Sequence, residues 1–357
     1  MSVKIFDSSE SAQWSDYLSR LPQNYQHVHF TPEYHKLLEL NGDGQAFLFI
    51  FEKDNNFLYY PFMVKEINKI GEISFEKPYK DIRSVFGYTG PLFKTNKSNF
   101  QNKARTAFLD FCEQQNIIAE LIRYNPLIQN HRFTENLSIQ NVNVKEYVYV
   151  DLTQDINKVF NNYRDSIRNI INQAEKEEIS FEITTDRDIL IEFFNLYKSH
   201  MRKIGVDEYY LFSEQYFSAL ADFIQEQGYL IYSREGGKIK AGHIFLGQNN
   251  TIYNHHSARN VELDNSGFIN KYLYHKAFEK QIQDGFSYCL LGGGATDKED
   301  DGLLRFKKHF SHKTRPFVIG KRVINKKKYA EVIDIWQENY PELIDQFNNY
   351  VDKYRFC

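Results

Sequence analysis

Residues 302–311, Gly-Leu-Leu-Arg-Phe-Lys-Lys-His-Phe-Ser, crowd cations and aromatics into one short stretch. By spacing alone, Arg305, Lys307 and Lys308 are the solvated side of a short amphipathic helix whose Leu304 and Phe306 turn inward. The same ammonium groups can hold a phosphate or a carboxylate. Upstream, Leu291-Gly292-Gly293-Gly294-Ala295 closes a strand-like run. Consecutive glycines let backbone N–H groups approach a phosphate or carbonyl closely and form an anion nest. They equally suit a loop leading into the acidic run that ends at Asp301. That run lacks the alternate carboxylates and distal Glu of an EF-hand, so it predicts no calcium site.

Arg164 and Arg168 stand one helical turn apart, a spacing that can grip a pyrophosphate bidentately, as a nucleotide-sugar acceptor requires. The same pair also fits a solvated face opposite an apolar stripe. Lys80 and Arg83 offer a second basic pair. His243, His255 and His256 fall on neighbouring strands of a meander. Strand alternation predicts that His255 and His256 face opposite ways, and a neutral His255 can serve as general base for an attacking amine. Three histidines without Cys or carboxylate at ligand spacing predict no metal site. His256 and the adjacent Ser257 cannot form a hydrolase dyad, and no Gly-x-Ser-x-Gly elbow is present.

The 357 residues suggest two domains. A hydrophobic share of 42% and a charged share of 25% exclude a disordered or fibrous chain. The net charge of −3 gives no global basic field, so DNA binding is not expected. Cys112, Cys289 and Cys357 lack Cys-x-x-Cys spacing, which excludes a disulfide framework and suits a reducing cytosol. The first residues carry no apolar signal core, and no run approaches the roughly 18 apolar residues of a membrane span. A cytoplasmic location follows, with work at the inner face of the membrane left open. No Gly-x-Gly-x-x-Gly or P-loop pattern is present, so dinucleotide and P-loop folds lose their main support.

The elements that must position these residues alternate in kind. Helices are expected over 9–20, 32–40 (capped by Thr31), 99–116, 154–177, 186–203, 213–227, 267–284, 302–310 and 327–353. Strands are expected at 46–53 and 57–67 around an Asp54-Asn55-Asn56 hairpin, with Pro61 marking an edge or bulge. Others are expected at 117–125, 144–152 and 179–185, in a meander from Tyr229 to Ala258, and at 286–293 and 316–323. Residues 75–93 read as a loop. The order is α+β, with boundaries at 1–150 and 151–357.

Taken together, several stretches resemble the FemABX-like family: the helix with Trp14, the segment His29-Phe30-Thr31-Pro32-Glu33-Tyr34-His35, and the loop Phe86-Gly87-Tyr88-Thr89-Gly90-Pro91-Leu92. In the second half they are residues 163–179, 193–206, the meander ending Tyr253-Asn254-His255-His256, and 284–294 followed by 302–311. That family comprises peptidoglycan-bridge aminoacyltransferases and surface-polysaccharide N-acyltransferases. The resemblance implies two tandem GNAT-like units, each a mostly antiparallel mixed sheet flanked by helices, with most of the catalytic site in the second. It places Phe306 and Lys307 at the reaction centre, where Lys307 would set positive charge against a developing oxyanion. It makes Tyr88 a cleft residue, with Arg164, Arg168, Lys80 and Arg83 on the acceptor. Gly292, Gly293 and Gly294 would hold the donor. The implied reaction is acyl transfer to an amine of a nucleotide- or lipid-diphosphate-linked sugar or peptide in cell-envelope biosynthesis. The co-substrate would be an acyl-CoA or an aminoacyl-tRNA, with no tightly bound cofactor. A tRNA-dependent activity would use a basic patch of Lys308, Lys313, Arg315, Lys321 and Lys326–Lys328. A non-catalytic binding module of the same fold is the third reading.

Overall fold

The computed structural model describes residues 1–135, 137–264, 266–296, 298 and 300–356. In chain order the elements are β1 (Ser2–Asp7), α1 (Ser11–Ser19), α2 (Pro32–Leu40), β2 (Gln45–Lys53), β3 (Asn56–Ile70), β4 (Ile73–Arg83), β5 (Leu92–Phe93), α3 (Ser98–Gln114) and β6 (Ile117–Arg123). There follow β7 (Gln140–Asp151), α4 (Ile156–Asn161), α5 (Asp165–Lys176), β8 (Glu182–Thr184), α6 (Arg187–Lys203), α7 (Glu214–Gln227), β9 (Gly228–Glu235), β10 (Lys238–Gln248), β11 (Thr251–Arg259), α8 (Phe268–Gln283), β12 (Tyr288–Gly292) and α9 (Gly302–Lys308). The chain closes with β13 (Thr314–Val323), α10 (Lys326–Asn339) and α11 (Ile344–Phe347).

Two compact units result. Unit 1 joins Met1–Val144 to the segment from Phe317 onward, and unit 2 is the continuous stretch Lys145–Pro316. The sequence puts one boundary at 150; it does not show that the C-terminal segment returns to the first unit. In unit 1 the strands run β1-β2-β3-β4-β6-β13, antiparallel except for the β4/β6 pair. One face packs Phe49, Phe62, Phe108 and Cys112 under α3. Ile67, Ile118, Val332, Trp336 and Tyr354 form a second cluster with α10.

Unit 2 has the order β7-β12-β11-β10-β9-β8, antiparallel except for β11/β12. Its core gathers Val148, Val150, Tyr163, Ile167, Ile171, Phe245, Leu273, Phe278 and Phe310. The architecture is the expected α+β one.

Three expectations are corrected. Residues 73–83 form β4, not loop, because Ile82 is buried and residues 79–83 pair with β3, Pro78 notwithstanding. The 154–177 helix is two helices. Arg164 takes an extended backbone (φ −59°, ψ 148°), and its N–H donates to the His309 carbonyl at 2.9 Å instead of to the preceding turn. The apolar stripe survives the break, since Val159, Tyr163, Ile167 and Ile171 are all buried. The last helix stops at Asn339, where Tyr340 precedes Pro341 and cannot remain helical. Pro61 lies inside the long β3. On the flank away from β2, it falls between the β5 pairing at Leu58/Tyr59 and the β4 pairing that begins at Met63.

Candidate active site

Strands β11 and β12 pair in parallel only at Thr251/Tyr288, Ile252/Cys289 and Tyr253/Leu290. Beyond Tyr253 the register with β10 breaks: Phe245 opposes Asn254 and Ile244 opposes His256, leaving His255 as the extra residue of a bulge. The bulge overturns the expected alternation. His255 and His256 turn to the same side, with ring centroids 4.1 Å apart, and both reach the Tyr216 hydroxyl of α7, at 2.8 and 3.2 Å. His256 also meets Tyr197 of α6 at 4.5 Å. Burial drives the His255 imidazole down to about 3 and His256 well below its usual value. A lowered pKa of this kind weakens an imidazole as a general base at neutral pH.

Asn254 and Ser257 turn to the other face, toward α8. The Tyr274 hydroxyl donates to Asn254 Oδ1 at 3.0 Å, and Ser257 Oγ lies 2.8 Å from His243 Nδ1. The His243 ring lies 4.0 Å from that of Tyr274, and burial lowers its pKa to about 4. Burial raises the Tyr274 phenol, so it stays protonated. Phe306 of α9 packs on this face, 5.8 Å from the Tyr274 ring. Phe306 and His255 are therefore on opposite faces, and the structure does not bring together these two expected catalytic residues.

Lys307, next to Phe306, reaches the end of β12. Its Nζ donates to the Gly293 carbonyl at 2.8 Å. Lys145, on β7, donates to the next carbonyl, Gly294, at 3.3 Å. Burial lowers the Lys307 pKa to about 8; Asp301 opposes that shift and the Lys145 charge reinforces it. Gly292 has φ +84°, a conformation that favours glycine. A Cβ on Gly293 would collide with the Tyr147 ring.

The glycine run thus offers carbonyls to lysines. The anion held by the following amides is the chain's own: Asp301 accepts from Thr296 N (2.8 Å), Thr296 Oγ1 (2.9 Å) and Leu304 N (2.8 Å), capping α9. Burial pushes the Asp301 carboxyl up, but these donors more than offset it and hold it far below the usual range. Asp297 and Glu299 of the acidic run lie outside the described residues, as does Cys357.

Arg168 is committed to structure. It donates to the Asn161 and Tyr163 carbonyls at 3.0 and 2.7 Å and pairs with Asp165, tying α5 to the turn before it. Arg164 is exposed, 3.2 Å from His309 Nε2. The other three acceptor candidates are in unit 1. Arg83 pairs with Asp352, and Tyr88 packs edge-on to His29 and Phe317. Lys80 lines a cavity of about 730 Å³ together with Phe47, Val64 and Phe111. Of the basic patch, Lys308 pairs with Glu146 and Lys313 with Asp151, while Lys328 donates to Asn116. Among the described residues, Glu175, His275 and Glu279 come together as metal ligands would, but the Lys276 ammonium joins both carboxylates, at 2.5 and 2.9 Å.

The sequence reading missed Lys145, Asn254, Tyr274 and Asp301. Asp301 carried a usable signal, since an Asp three residues before Leu304 is a helix N-cap pattern. Lys145 carried none, because its contact with Gly294 spans 149 positions.

No curated protein matches the sequence. Residues 161–308 match a family model described as an acetyltransferase (GNAT) domain. The fold of the whole chain is similar to that of crystalline FemX (14% identity, TM-score 0.65, covering 92% of this chain and 99% of that one). It is also similar to L-PGS from Bacillus licheniformis (15%, TM-score 0.55, covering 88% and 92%). A third likeness is to the C-terminal domain of a candidate lysylphosphatidylglycerol synthetase from Agrobacterium fabrum (13%, TM-score 0.54, covering 94% and 96%). Among the described residues no helix is long and apolar enough to cross a membrane. The GNAT match spans the bulged strand, the glycine run and Lys307, so residues 161–308 are a GNAT acyltransferase domain within a chain whose fold is similar to that of FemX.

Proposed function

We propose that the protein is an N-acyltransferase that moves an acyl group from an acyl-CoA to an amine on a nucleotide- or lipid-linked sugar or peptide of the cell envelope. The observation that carries this reading is the Lys307 ammonium, half-buried and fixed on the Gly293 carbonyl beyond the point where β11 and β12 part. In the reaction the acceptor nitrogen bonds to the thioester carbon, the C–S bond breaks, the amine loses a proton and the thiolate gains one. Lys307 supplies positive charge to the oxyanion of the tetrahedral intermediate, where a partly desolvated charge acts most strongly. Alignment of the two substrates provides much of the remaining rate. The acceptor's diphosphate is assigned to exposed Arg164.

Aminoacyl-tRNA as donor is the second reading, favoured by the fold shared with FemX and with L-PGS. The pairing of Lys308 and Lys313 with Glu146 and Asp151 weighs against it, because paired cations contribute less to binding a polyanion.

A thermal-shift titration with coenzyme A and acetyl-CoA decides between them. A ligand at 100 times its Kd stabilises the fold by about 2.7 kcal/mol. A dose-dependent shift, followed by acyl transfer to an amino-sugar nucleotide, supports the CoA reading. No shift, with transfer from charged tRNA, replaces it with the second. Neither shift nor turnover with either donor leaves the binding module.

A further inference from the structure

Lys145 lies on β7, far in sequence from the motif that contains Lys307, yet both lysines end on one glycine run. Lys307 Nζ donates to the Gly293 carbonyl at 2.8 Å, and Lys145 Nζ to the Gly294 carbonyl at 3.3 Å. The space around Gly293 is closed: a Cβ there would run into the Tyr147 ring and come within 3.0 Å of the Lys145 stem. The Lys145 side chain therefore packs along the glycine whose carbonyl fixes Lys307. Among the described residues, Asp301 is an acidic group near Lys307, and its oxygens are engaged by Thr296 and Leu304. Two like charges are held close together, each anchored by its own carbonyl.

We propose that Lys145 is a positioning residue for Lys307: it clamps Gly293-Gly294 so that the Lys307 ammonium is aimed at the reacting carbonyl, with a second positive charge placed beside it. The proposal rests on the acyltransferase reading for its rate effect, but not for its electrostatic one. A neighbouring cation makes an ammonium more acidic, whatever the substrate. An amine in this setting loses its proton on the alkaline side of neutrality, near 8. A lysine in water keeps it until about 10.4.

The test uses the full chain and three variants, with circular dichroism to establish that each folds. K145M keeps the stem and removes the charge, K145R keeps the charge, and G293A disturbs the contact from the other side. The readout that needs no activity is competitive labelling of Lys307 with acetic anhydride across pH 6–11, with peptides quantified by mass spectrometry. The labelling midpoint of Lys307 should rise measurably in K145M and stay near wild type in K145R, with burial keeping it below the ordinary lysine range in both. In turnover, K145M should lose about tenfold in kcat with the acceptor KM little changed, as expected for an interaction made in the transition state. K145R should recover most of that loss, and G293A should resemble K145M.

An unchanged Lys307 midpoint in K145M overturns the proposal, whatever the rates do. A moved midpoint in a protein that transfers no acyl group from any donor upholds the electrostatic coupling and sinks the acyltransferase reading instead. Transfer at the wild-type rate in K145M overturns the positioning role even if the midpoint moves.

Discussion

Arg322 and Glu120 form a buried ion pair across 202 positions of sequence, with the guanidinium donating to Glu120 Oε2 at 2.7 Å from Nε and 2.5 Å from Nη2. Tyr60 donates to the other carboxylate oxygen at 2.5 Å. The side chains are 8% and 0% exposed, so neither charge can turn to water if its partner is removed. R322M should therefore cost about 3–5 kcal/mol in urea denaturation, while the double variant E120Q/R322M should cost much less. Equal losses in the two would show that the penalty is not the stranded charge.

Lys307 carries the strongest prediction for activity. K307M should keep the fold and lower the acyl-transfer rate by about 10²–10³, the usual effect of removing a group that stabilises an oxyanion. The wild-type rate should fall above pH 8 as the ammonium loses its proton, since burial has brought that loss down from the usual lysine range. A pH–rate profile flat to pH 10, or a wild-type rate in K307M, would remove Lys307 from the chemistry.

Asp301 accepts from Thr296 and Leu304 and caps α9. D301A should cost about 1–2 kcal/mol, the range for a lost N-cap carboxylate, and should accelerate proteolytic nicking between Ala295 and Gly302. D301N, which keeps one acceptor oxygen, should recover part of the stability. Protease resistance equal to wild type in D301A would contradict the assigned role.

Five histidines held away from water, four of them buried and His255 half-buried, should make the fold sensitive to acid. Desolvation lowers His27, His35 and His243 to about 4 and His255 to about 3, and drives His256 well below its usual value. Each is protonated more readily in the unfolded chain, near pH 6.5, than in the native one. The stability from keeping them neutral is present above pH 6.5 and is lost as pH falls toward 4, at roughly 2 kcal/mol for each of His27, His35 and His243 by pH 4.5. Chemical denaturation at pH 7.5, 6 and 5 should show a stepwise loss. A constant free energy of unfolding over that range would contradict the burial of these rings.

Much of the fold was legible because its signals are local. Thr31 accepts from Tyr34 N and caps α2 as its sequence suggests, and the meander strands β9–β11 follow their apolar runs. The failures came from interactions that override local pattern. The Arg164 N–H leaves its helix for the His309 carbonyl, and the extra residue at His255 reverses the alternation on which its assignment depended. Of the candidate site, part was legible in the sequence. Lys307 stood out by motif, but its neighbour Lys145 and the Asn254–Tyr274 bond depend on strand order and bulge position, which spacing along one chain does not encode.

The return of the segment from Phe317 onward to unit 1 has a consequence for how the chain is made. Residues 145–316 leave the ribosome as one uninterrupted block and can complete their unit as soon as they emerge. Unit 1 begins first but finishes last. Glu120 waits without Arg322, and the apolar surface of Ile67 and Ile118 waits without Trp336, through the synthesis of the whole intervening unit. During that interval the nascent first unit exposes a half-built core and a stranded carboxylate, which makes it the part of the protein most in need of a chaperone.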